Sequence, residues 1–239
     1  MKIGIMQPYF FPYLGYFSLI KYTDQFILLD VVQFIRHGWI ERNRILKSGQ
    51  EGWNYIRISL IRHEREATIK DILIREDENW RELIFRQLEH YKKKAPFYEK
   101  TIDFLQGCFK VTFVSIAELD AFLLEQVCQY LGISKKITLF SKMNLNIEEV
   151  KEPDDWALNI CIALHATEYI NPAGGMEIFD KNKYSKKNVT IKFLKNKLIP
   201  YNQFRIKFES GLSIIDALMF NSPESVNQML DEIQLLDSD

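Results

Sequence analysis

The sequence predicts an α/β protein with a Rossmann-like parallel or mixed sheet and a helical middle segment. Two apolar runs near the N-terminus, residues 3–6 and 26–29, have the length and composition of buried parallel strands. Helical periodicity then dominates the centre of the chain. Strand-like runs return in the last third, which favours one α/β domain with a helical insertion over separate domains.

Composition and charge exclude several classes of function. The 239 residues are 47% hydrophobic and 26% charged, as in ordinary globular proteins, and the formal net charge is -1. Such a charge gives no general attraction for nucleic acid or for an anionic membrane. No run approaches the roughly 18–20 apolar residues of a membrane helix. We therefore expect a single domain over residues 1–239 that does not associate with a membrane.

The cysteine pattern indicates a reducing compartment. Cys108, Cys128 and Cys161 form no C-x-x-C pair and have no metal-binding spacing. The first apolar run ends at Gln7 and Pro8, before the core of a signal peptide could form. The expected location is the cytoplasm. The sequence contains no P-loop, G-x-G-x-x-G or zinc motif, and no metal site is predicted.

The loop after the first strand is the most informative part of the chain. Residues 9–17 are mostly aromatic, and they lie between Pro8 and a helical pattern over residues 17–22. Proline has no N–H to donate and fixes φ, so the strand ends there and a rigid loop follows. Ligands of parallel sheets bind at the carboxyl ends of strands, which predicts a binding wall. The alternative is a surface hairpin whose aromatic rings only cap the core.

The second strand, residues 26–29, completes a βαβ unit and places Asp30 at its carboxyl end. The following residues, 33–45, are too polar for a core segment. They include Gln33 and Trp39, and Trp39 could stack on a base or a sugar ring. Three arginines in this segment could bind phosphates or carboxylates bidentately, although solvated arginines are an equal alternative: Arg36, Arg42 and Arg44.

Alternation of apolar residues predicts that residues 54–60 pair with residues 67–74 as a hairpin with a charged tip, a possible lid. Helices are predicted in the region 77–132, beginning near Asp77, near Pro96 and at Ser115. Ser115 forms an S-x-x-E capping box with Glu118.

A strand over residues 137–141 and a helix opened by Pro153 are predicted next. Residues 169–170 are predicted to form a short strand, and a turn is expected to start at Asn171-Pro172. The backbone N–H groups of Gly174 and Gly175 could bind an anion there, although ordinary turns also use such residues. The last strand is predicted at residues 189–194, and two closing helices begin after residues 213 and 222.

Six segments spread over nearly the whole chain carry a family resemblance. They are MQPYFFPYLGYF at 6–17, Asp30 with Gln33-Phe34, GWIERN at 38–43, APF at 95–97, EYINPAGG at 168–175 and LSIIDALMFN at 212–221. Together these segments resemble the WbqC-like protein family, and residues 6–17 look like its opening signature. Two positions depart from the family pattern, Val31 and Glu41, which argues against a metal site in that segment.

A second, local resemblance concerns the HxGH nucleotidyltransferases. In these proteins a first strand runs into a P-x-H-x-G-H turn, and residues 12–16 match it with tyrosines in place of both histidines. The match implies a substrate-binding role for Tyr13, Gly15 and Tyr16. Tyrosine can donate a hydrogen bond to a phosphate oxygen but carries no positive charge at neutral pH.

The WbqC-like resemblance implies a function in bacterial surface-polysaccharide (O-antigen) synthesis. It implies transfer of an aminoacyl group such as glycine to the amine of a nucleotide-linked amino sugar. A stacking surface, cations for the diphosphate and a base for the amine proton are then required. The expected residues are Tyr9, Tyr13 and Trp39 for stacking, Arg36 and Arg42 for the diphosphate, Asp30 and then Glu168 as base, and Gln7, Asn43 and Asn171 as neutral donors.

The acyl donor and the class of activity stay open at this point. The donor could be an acyl adenylate formed from ATP, or an aminoacyl-tRNA, for which the net charge gives no support. The chain could also be a non-catalytic sugar-nucleotide-binding protein, or a nucleotidyltransferase that releases pyrophosphate. The sequence does not indicate an oligomeric state. All of these hypotheses of function require three segments to line one cavity. The segments are the loop after the first strand, the segment around Trp39 and the Gly174-Gly175 turn.

Overall fold

The first thirty residues form the predicted βαβ unit. A computed structural model describes residues 1–236. It begins with strand β1 (Lys2–Met6), helix α1 (Leu14–Tyr22) and strand β2 (Gln25–Leu28). The two strands pair in parallel. Gly4 lies where a Cβ would come within 2.8 Å of the Phe26 ring, so the missing side chain lets that ring pack against β1.

A small antiparallel sheet follows, and it corrects the predicted hairpin. Strand β3 (Arg42–Leu46) pairs with strand β4 (Trp53–Arg57). The expected pairing of residues 54–60 with 67–74 is therefore wrong; those segments share only the isolated bridge Leu60–Ile74, and Ile69–Asp71 is a 3-10 helix. Strand β3 could not be predicted from the sequence because Arg42 and Arg44 occupy the positions where an apolar stripe would be expected. Their guanidinium groups lie on aromatic rings of the partner strand β4.

Helices occupy the region predicted to be helical. They are α2 (Trp80–Leu88), α3 (Tyr98–Phe109) and α4 (Ile116–Tyr130), with a 3-10 helix, Glu89–Lys93, after α2. The Ser115 hydroxyl caps α4 by accepting a hydrogen bond from the Ala117 N–H at 3.2 Å. Within the described chain Glu118 does not complete the predicted capping box, because its carboxylate pairs with Lys142 instead.

The remaining elements complete the main sheet. They are β5 (Ile137–Leu139), α5 (Asp155–Ala163), β6 (Glu168–Pro172), α6 (Lys181–Ser185), β7 (Thr190–Asn196), α7 (Ile214–Phe220), α8 (Pro223–Met229) and β8 (Ile233–Leu236). The prediction that residues 189–194 are the last strand is wrong, since β8 pairs antiparallel with β7. Strand β6 also runs further than predicted, and Pro172 still pairs with Leu194.

The main sheet has the order β5-β2-β1-β6-β7-β8, with five parallel strands and an antiparallel edge strand. The α/β class with a mostly parallel sheet is thus confirmed. One face packs Ile3, Ile5 and Ile27 against α5, and the other packs Phe26 and Leu28 against α1 and α4. Chain order moves outward in opposite directions from β1 and β6, so the topological switch point lies between these strands. No helix of the described chain has the length and apolar character needed to cross a membrane.

Candidate functional site

A cleft of about 1040 Å³ opens at the carboxyl ends of β1 and β6. This size lies at the upper end of ligand pockets, roughly 300–1,000 Å³. The three segments that were predicted to meet do line this one cleft. Its lining includes Gln7, Tyr9, Tyr13, Trp39, Arg44, Trp156, Asn171, Gly174, Gly175, Ile178, Glu209 and Gly211.

Aromatic rings form one wall of the cleft. The Tyr9 ring stacks on Trp39 with centroids 5.8 Å apart, and the Tyr13 ring meets Tyr9 edge-on at 6.2 Å. The Phe10 N–H donates to the Trp39 carbonyl at 3.0 Å, which fastens the two segments together. Burial raises the pKa of both cleft tyrosines, so their hydroxyls stay protonated and act as neutral hydrogen-bond donors.

Buried polar groups hold this aromatic loop in place. The Asn43 amide donates to the carbonyls of Phe10 and Phe11, at 3.0 and 2.5 Å. Phe11 has a φ of 40°, a left-handed backbone that needs such support. The Tyr16 hydroxyl donates to the Gln7 carbonyl at 2.8 Å. Asn43 and Tyr16 are both fully buried, which contradicts their expected contact with a ligand and makes them supports of the wall.

Gly15 also acts on the loop and not on a ligand. A Cβ at this position would lie 2.5 Å from the Tyr13 ring, so the glycine makes room for that ring over the first turn of α1. The expectation that Gly15 contacts substrate is therefore corrected, since it is absent from the described cleft lining.

The opposite wall follows β6. Asn171 accepts a hydrogen bond from the buried Tyr169 hydroxyl at 3.0 Å and lines the cleft together with Gly174 and Gly175. A Cβ on Gly175 would overlap the Asn171 amide nitrogen, whereas a Cβ on Gly174 would meet no atom within 4 Å. A side chain at position 175 would therefore displace the Asn171 amide, whereas one at position 174 would displace no atom.

Two side chains of opposite charge line the cleft. The guanidinium of Arg44 lies over Trp39 and Trp53, at 5.1 and 5.2 Å, and its Nη2 donates to the Gly211 carbonyl at 2.9 Å. Its Nε is buried and has no hydrogen-bond partner in the part of the chain that the structure describes. Within residues 1–236, Arg44 makes no ion pair, and the carboxylate of Glu209 has neither a hydrogen bond nor an ion pair.

Both carboxylates predicted as a base lie outside this cleft. Asp30 is 1% exposed, and its two oxygens accept hydrogen bonds from the backbone and hydroxyl of Ser141, which ties the end of β2 to the turn after β5. Glu168 starts β6, at the opposite edge of the sheet, and pairs with Lys192 at 3.0 Å. These placements contradict the expectation that either residue faces a substrate amine at the aromatic loop.

The predicted diphosphate cations face another surface. Arg36 donates to the His63 carbonyl at 2.8 Å, and Gln33 donates to the Arg65 carbonyl at 2.9 Å. Arg42 donates to the Gly38 carbonyl at 3.1 Å and lies over the Tyr55 ring. Arg36 and Arg42 line a separate depression of about 400 Å³, so neither is a cation of the main cleft. Segment 35–40 forms the wall between the two.

Of the two charged residues that do line the cleft, sequence reasoning assigned no role to Glu209 and proposed Arg44 only together with Arg36 and Arg42 as a residue that could bind phosphates or carboxylates. Arg44 is one of three arginines in its segment. Only a correct prediction of β3 would have distinguished the position of Arg44 from those of Arg36 and Arg42. Glu209 lies in an irregular segment between Asn196 and Ile214, and no sequence signal singles it out. In the described chain, no group of three or more His, Cys, Asp or Glu side chains is arranged to hold a metal ion.

The fold and the cleft define a doubly wound α/β protein with a ligand-sized site at its topological switch point. The chain belongs to the WbqC-like protein family, whose model matches residues 7–228. The resemblance inferred from the sequence is thus confirmed. The chain is similar to the uncharacterized protein Rv1507c of Mycobacterium tuberculosis (strain ATCC 25618 / H37Rv), with 26% identity over 222 residues, which cover 92% of this chain and 93% of that protein. A comparison with solved structures gave no match.

Proposed function

We propose that this protein binds a nucleotide-linked amino sugar in the cleft and transfers an aminoacyl group such as glycine to the sugar amine. The pathway would be bacterial surface-polysaccharide (O-antigen) synthesis, in the cytoplasm. The observation that carries the proposal is the combination, in one cleft at the switch point, of an aromatic wall with a guanidinium that makes no ion pair within residues 1–236. Nucleotides bind in that place in doubly wound sheets.

The binding step follows from the cleft walls. Trp39 is 39% exposed and lies against Tyr9 and Arg44, so its exposed part can contact a base or sugar ring. Such stacking is worth about 1–3 kcal/mol. Arg44 retains N–H groups for the diphosphate, and a bound anion would supply the counter-charge that this half-buried guanidinium lacks among the described residues. Tyr9 and Tyr13 supply uncharged donors beside it.

The transfer step is direct attack of the substrate amine on an activated acyl carbonyl. The new bond joins the amine nitrogen to the carbonyl carbon, the bond to the leaving group breaks, and the amine releases a proton. The described lining of the cleft contains no cysteine and no histidine, which favours this route over an enzyme-bound acyl intermediate on a Cys-His or Ser-His pair. The amides of Gln7 and Asn171 are neutral donors for the carbonyl oxygen.

A second candidate is a non-catalytic sugar-nucleotide-binding protein. It is favoured by the positions of Asp30 and Glu168, since neither of the two expected bases reaches the cleft. The two candidates share the ligand and differ in turnover.

The experiment combines binding and product analysis. The protein is titrated with UDP- and dTDP-linked amino sugars, and is then incubated with each sugar plus either ATP and glycine or glycyl-tRNA. Mass spectrometry detects the sugar amide, and a coupled assay detects pyrophosphate. Sugar amide supports the transferase, and binding without product under every donor supports the binding protein. ATP-dependent pyrophosphate without amide indicates a nucleotidyltransferase. Absence of binding to any sugar nucleotide overturns both proposals.

A further inference from the structure

The irregular segment that carries Glu209 is anchored by a buried side chain. Gln203 is 4% exposed, and its amide makes two hydrogen bonds to the backbone of Glu209. The Gln203 Nε2 donates to the Glu209 carbonyl at 3.0 Å, and its Oε1 accepts from the Glu209 N–H at 2.8 Å. This two-point contact fixes the position of Glu209 although neither a helix nor a strand contains it.

The anchor continues into a buried network that reaches the strand of Arg44. Asp216 is fully buried and accepts hydrogen bonds from Gln203 at 2.9 Å, Tyr201 at 2.6 Å and Tyr91 at 2.7 Å. The Tyr91 hydroxyl in turn accepts from the Leu46 N–H at 2.9 Å, at the end of β3. One network therefore supports the segment of Glu209 and the strand of Arg44 together.

Arg44 and Glu209 nevertheless do not neutralise each other. Arg44 donates to the carbonyl of Gly211, two residues beyond Glu209, yet no ion pair joins the two charged groups within 4 Å in the described chain. Both residues are partly buried. A partly buried charge without a counter-ion is unfavourable, so a complementary ligand would carry an anion for one and a cation for the other.

We infer that Glu209 binds the ammonium group of the acceptor and takes its proton during acyl transfer, while Arg44 binds the phosphate of the same ligand. This inference rests on the proposed function. The ammonium loses a proton to the Glu209 carboxylate, and the neutral amine attacks the acyl carbonyl. As the tetrahedral adduct collapses, the leaving group departs with its bonding electrons and takes up the second proton that the nitrogen loses, and the Glu209 carboxyl then releases its proton to solvent. A nucleotide-linked sugar with a free amine presents both charges, and its N-acetylated form presents only the anion.

Calorimetric titration of three probes tests the inference: UDP-glucosamine, UDP-N-acetylglucosamine and UDP. The variants are Glu209→Gln, Glu209→Asp and the matched control Glu177→Gln, an exposed glutamate near the cleft but absent from its described lining. The parent is expected to prefer the free amine over the acetamide by about tenfold or more. Glu209→Gln should lose this preference and leave the affinity for UDP within about twofold, whereas Glu177→Gln should change neither.

Turnover provides the second readout. If sugar amide is formed, Glu209→Gln should lower kcat by about 10²–10⁴-fold, and Glu209→Asp should recover part of the loss. A preference for the amine that survives in Glu209→Gln overturns the inference and leaves the proposed function standing. Failure of the parent to bind any of the three probes and any dTDP-linked amino sugar removes the proposed function itself. Binding of free glycine that depends on Glu209, with no preference among the three probes, assigns the ammonium to a different ligand and also overturns the inference.

Discussion

Alanine substitutions at Gly174 and Gly175 are expected to have different effects on the stability of the protein. At Gly175 the new Cβ would overlap the Asn171 amide, and the Asn171 side chain would have to move. This movement breaks its hydrogen bond with the Tyr169 hydroxyl, which is only 2% exposed. At Gly174 the same change meets no atom within 4 Å, and the φ of neither glycine is in the left-handed region.

The magnitudes follow from these contacts. Loss of a partner for the buried Tyr169 hydroxyl costs about 1–3 kcal/mol, whereas replacing glycine at a tolerant position stabilises by about 0.4–1 kcal/mol. Gly175→Ala should therefore lower the free energy of unfolding by about 1–2 kcal/mol, and Gly174→Ala should raise it slightly. For a chain of this size, 1 kcal/mol corresponds to about 2–4 °C in Tm.

Differential scanning calorimetry and ligand titration check both variants. Gly175→Ala should melt roughly 2–8 °C below the parent and bind a sugar nucleotide less tightly, because Asn171 lines the cleft. Gly174→Ala should melt at or slightly above the parent temperature with unchanged affinity. Equal changes of Tm and affinity in the two variants would refute the argument that a Cβ at position 175, but not at position 174, displaces Asn171.

Three further predictions concern side chains with defined burial. Asp120 is fully buried, and neither carboxyl oxygen has a hydrogen-bond partner among residues 1–236. Burial, and secondly the charge of Glu41, raises the pKa of its carboxyl. Asp120→Asn should melt above the parent in calorimetric scans, by a margin that grows from pH 4 to pH 8. Asn43→Ala leaves two loop carbonyls without the amide and should lower Tm by about 2–12 °C in the same assay. Glu168→Gln should leave kcat for sugar amide formation within about twofold, since Glu168 lies at the far edge of the sheet.

The sign of the Asp120 prediction follows from proton linkage. A carboxyl with a raised pKa in the folded state binds its proton more tightly there than in the unfolded chain. Its contribution to stability is complete below the unfolded pKa, about 3.9, and is lost as pH rises toward the folded value. If the Tm difference between Asp120→Asn and the parent is constant across pH, the raised pKa of the buried Asp120 carboxyl is contradicted. Unchanged Tm in Asn43→Ala, or a large loss of turnover in Glu168→Gln, would contradict the other two placements.

The sequence was sufficient for those parts of the fold that are decided locally. The apolar run of β1, the prolines after it and the second apolar run predict the βαβ unit, because each signal acts within a few residues. Strand β3 could not be predicted in this way. Its arginines are stabilised by the rings of Trp53 and Tyr55, which are on the partner strand and contribute no signal to the segment itself.

The same limit applies to the site. Tyr9, Trp39 and Asn171 were predicted to share a cavity because aromatic and amide residues after strands are a local signal, and they line one cleft. Asp30 was predicted as a base from its position at a strand end, but its environment is set by Ser141, 111 residues away. The position of Glu209 depends on its hydrogen bonds with Gln203, which is held in turn by the long-range network around Asp216. No local sequence pattern predicts these contacts.

The central claim is that the ligand of the cleft carries an anion bound by Arg44. The most direct test is the dissociation constant of UDP for the parent, Arg44→Gln and Arg57→Gln. Arg57 is an exposed arginine on the neighbouring strand β4, outside the described lining of the cleft. A charge-assisted contact of about 1.5–3 kcal/mol predicts about 10- to 150-fold weaker binding in Arg44→Gln and no more than about a twofold change in Arg57→Gln. Equal weakening in both variants, or unchanged affinity in Arg44→Gln, would contradict the claim.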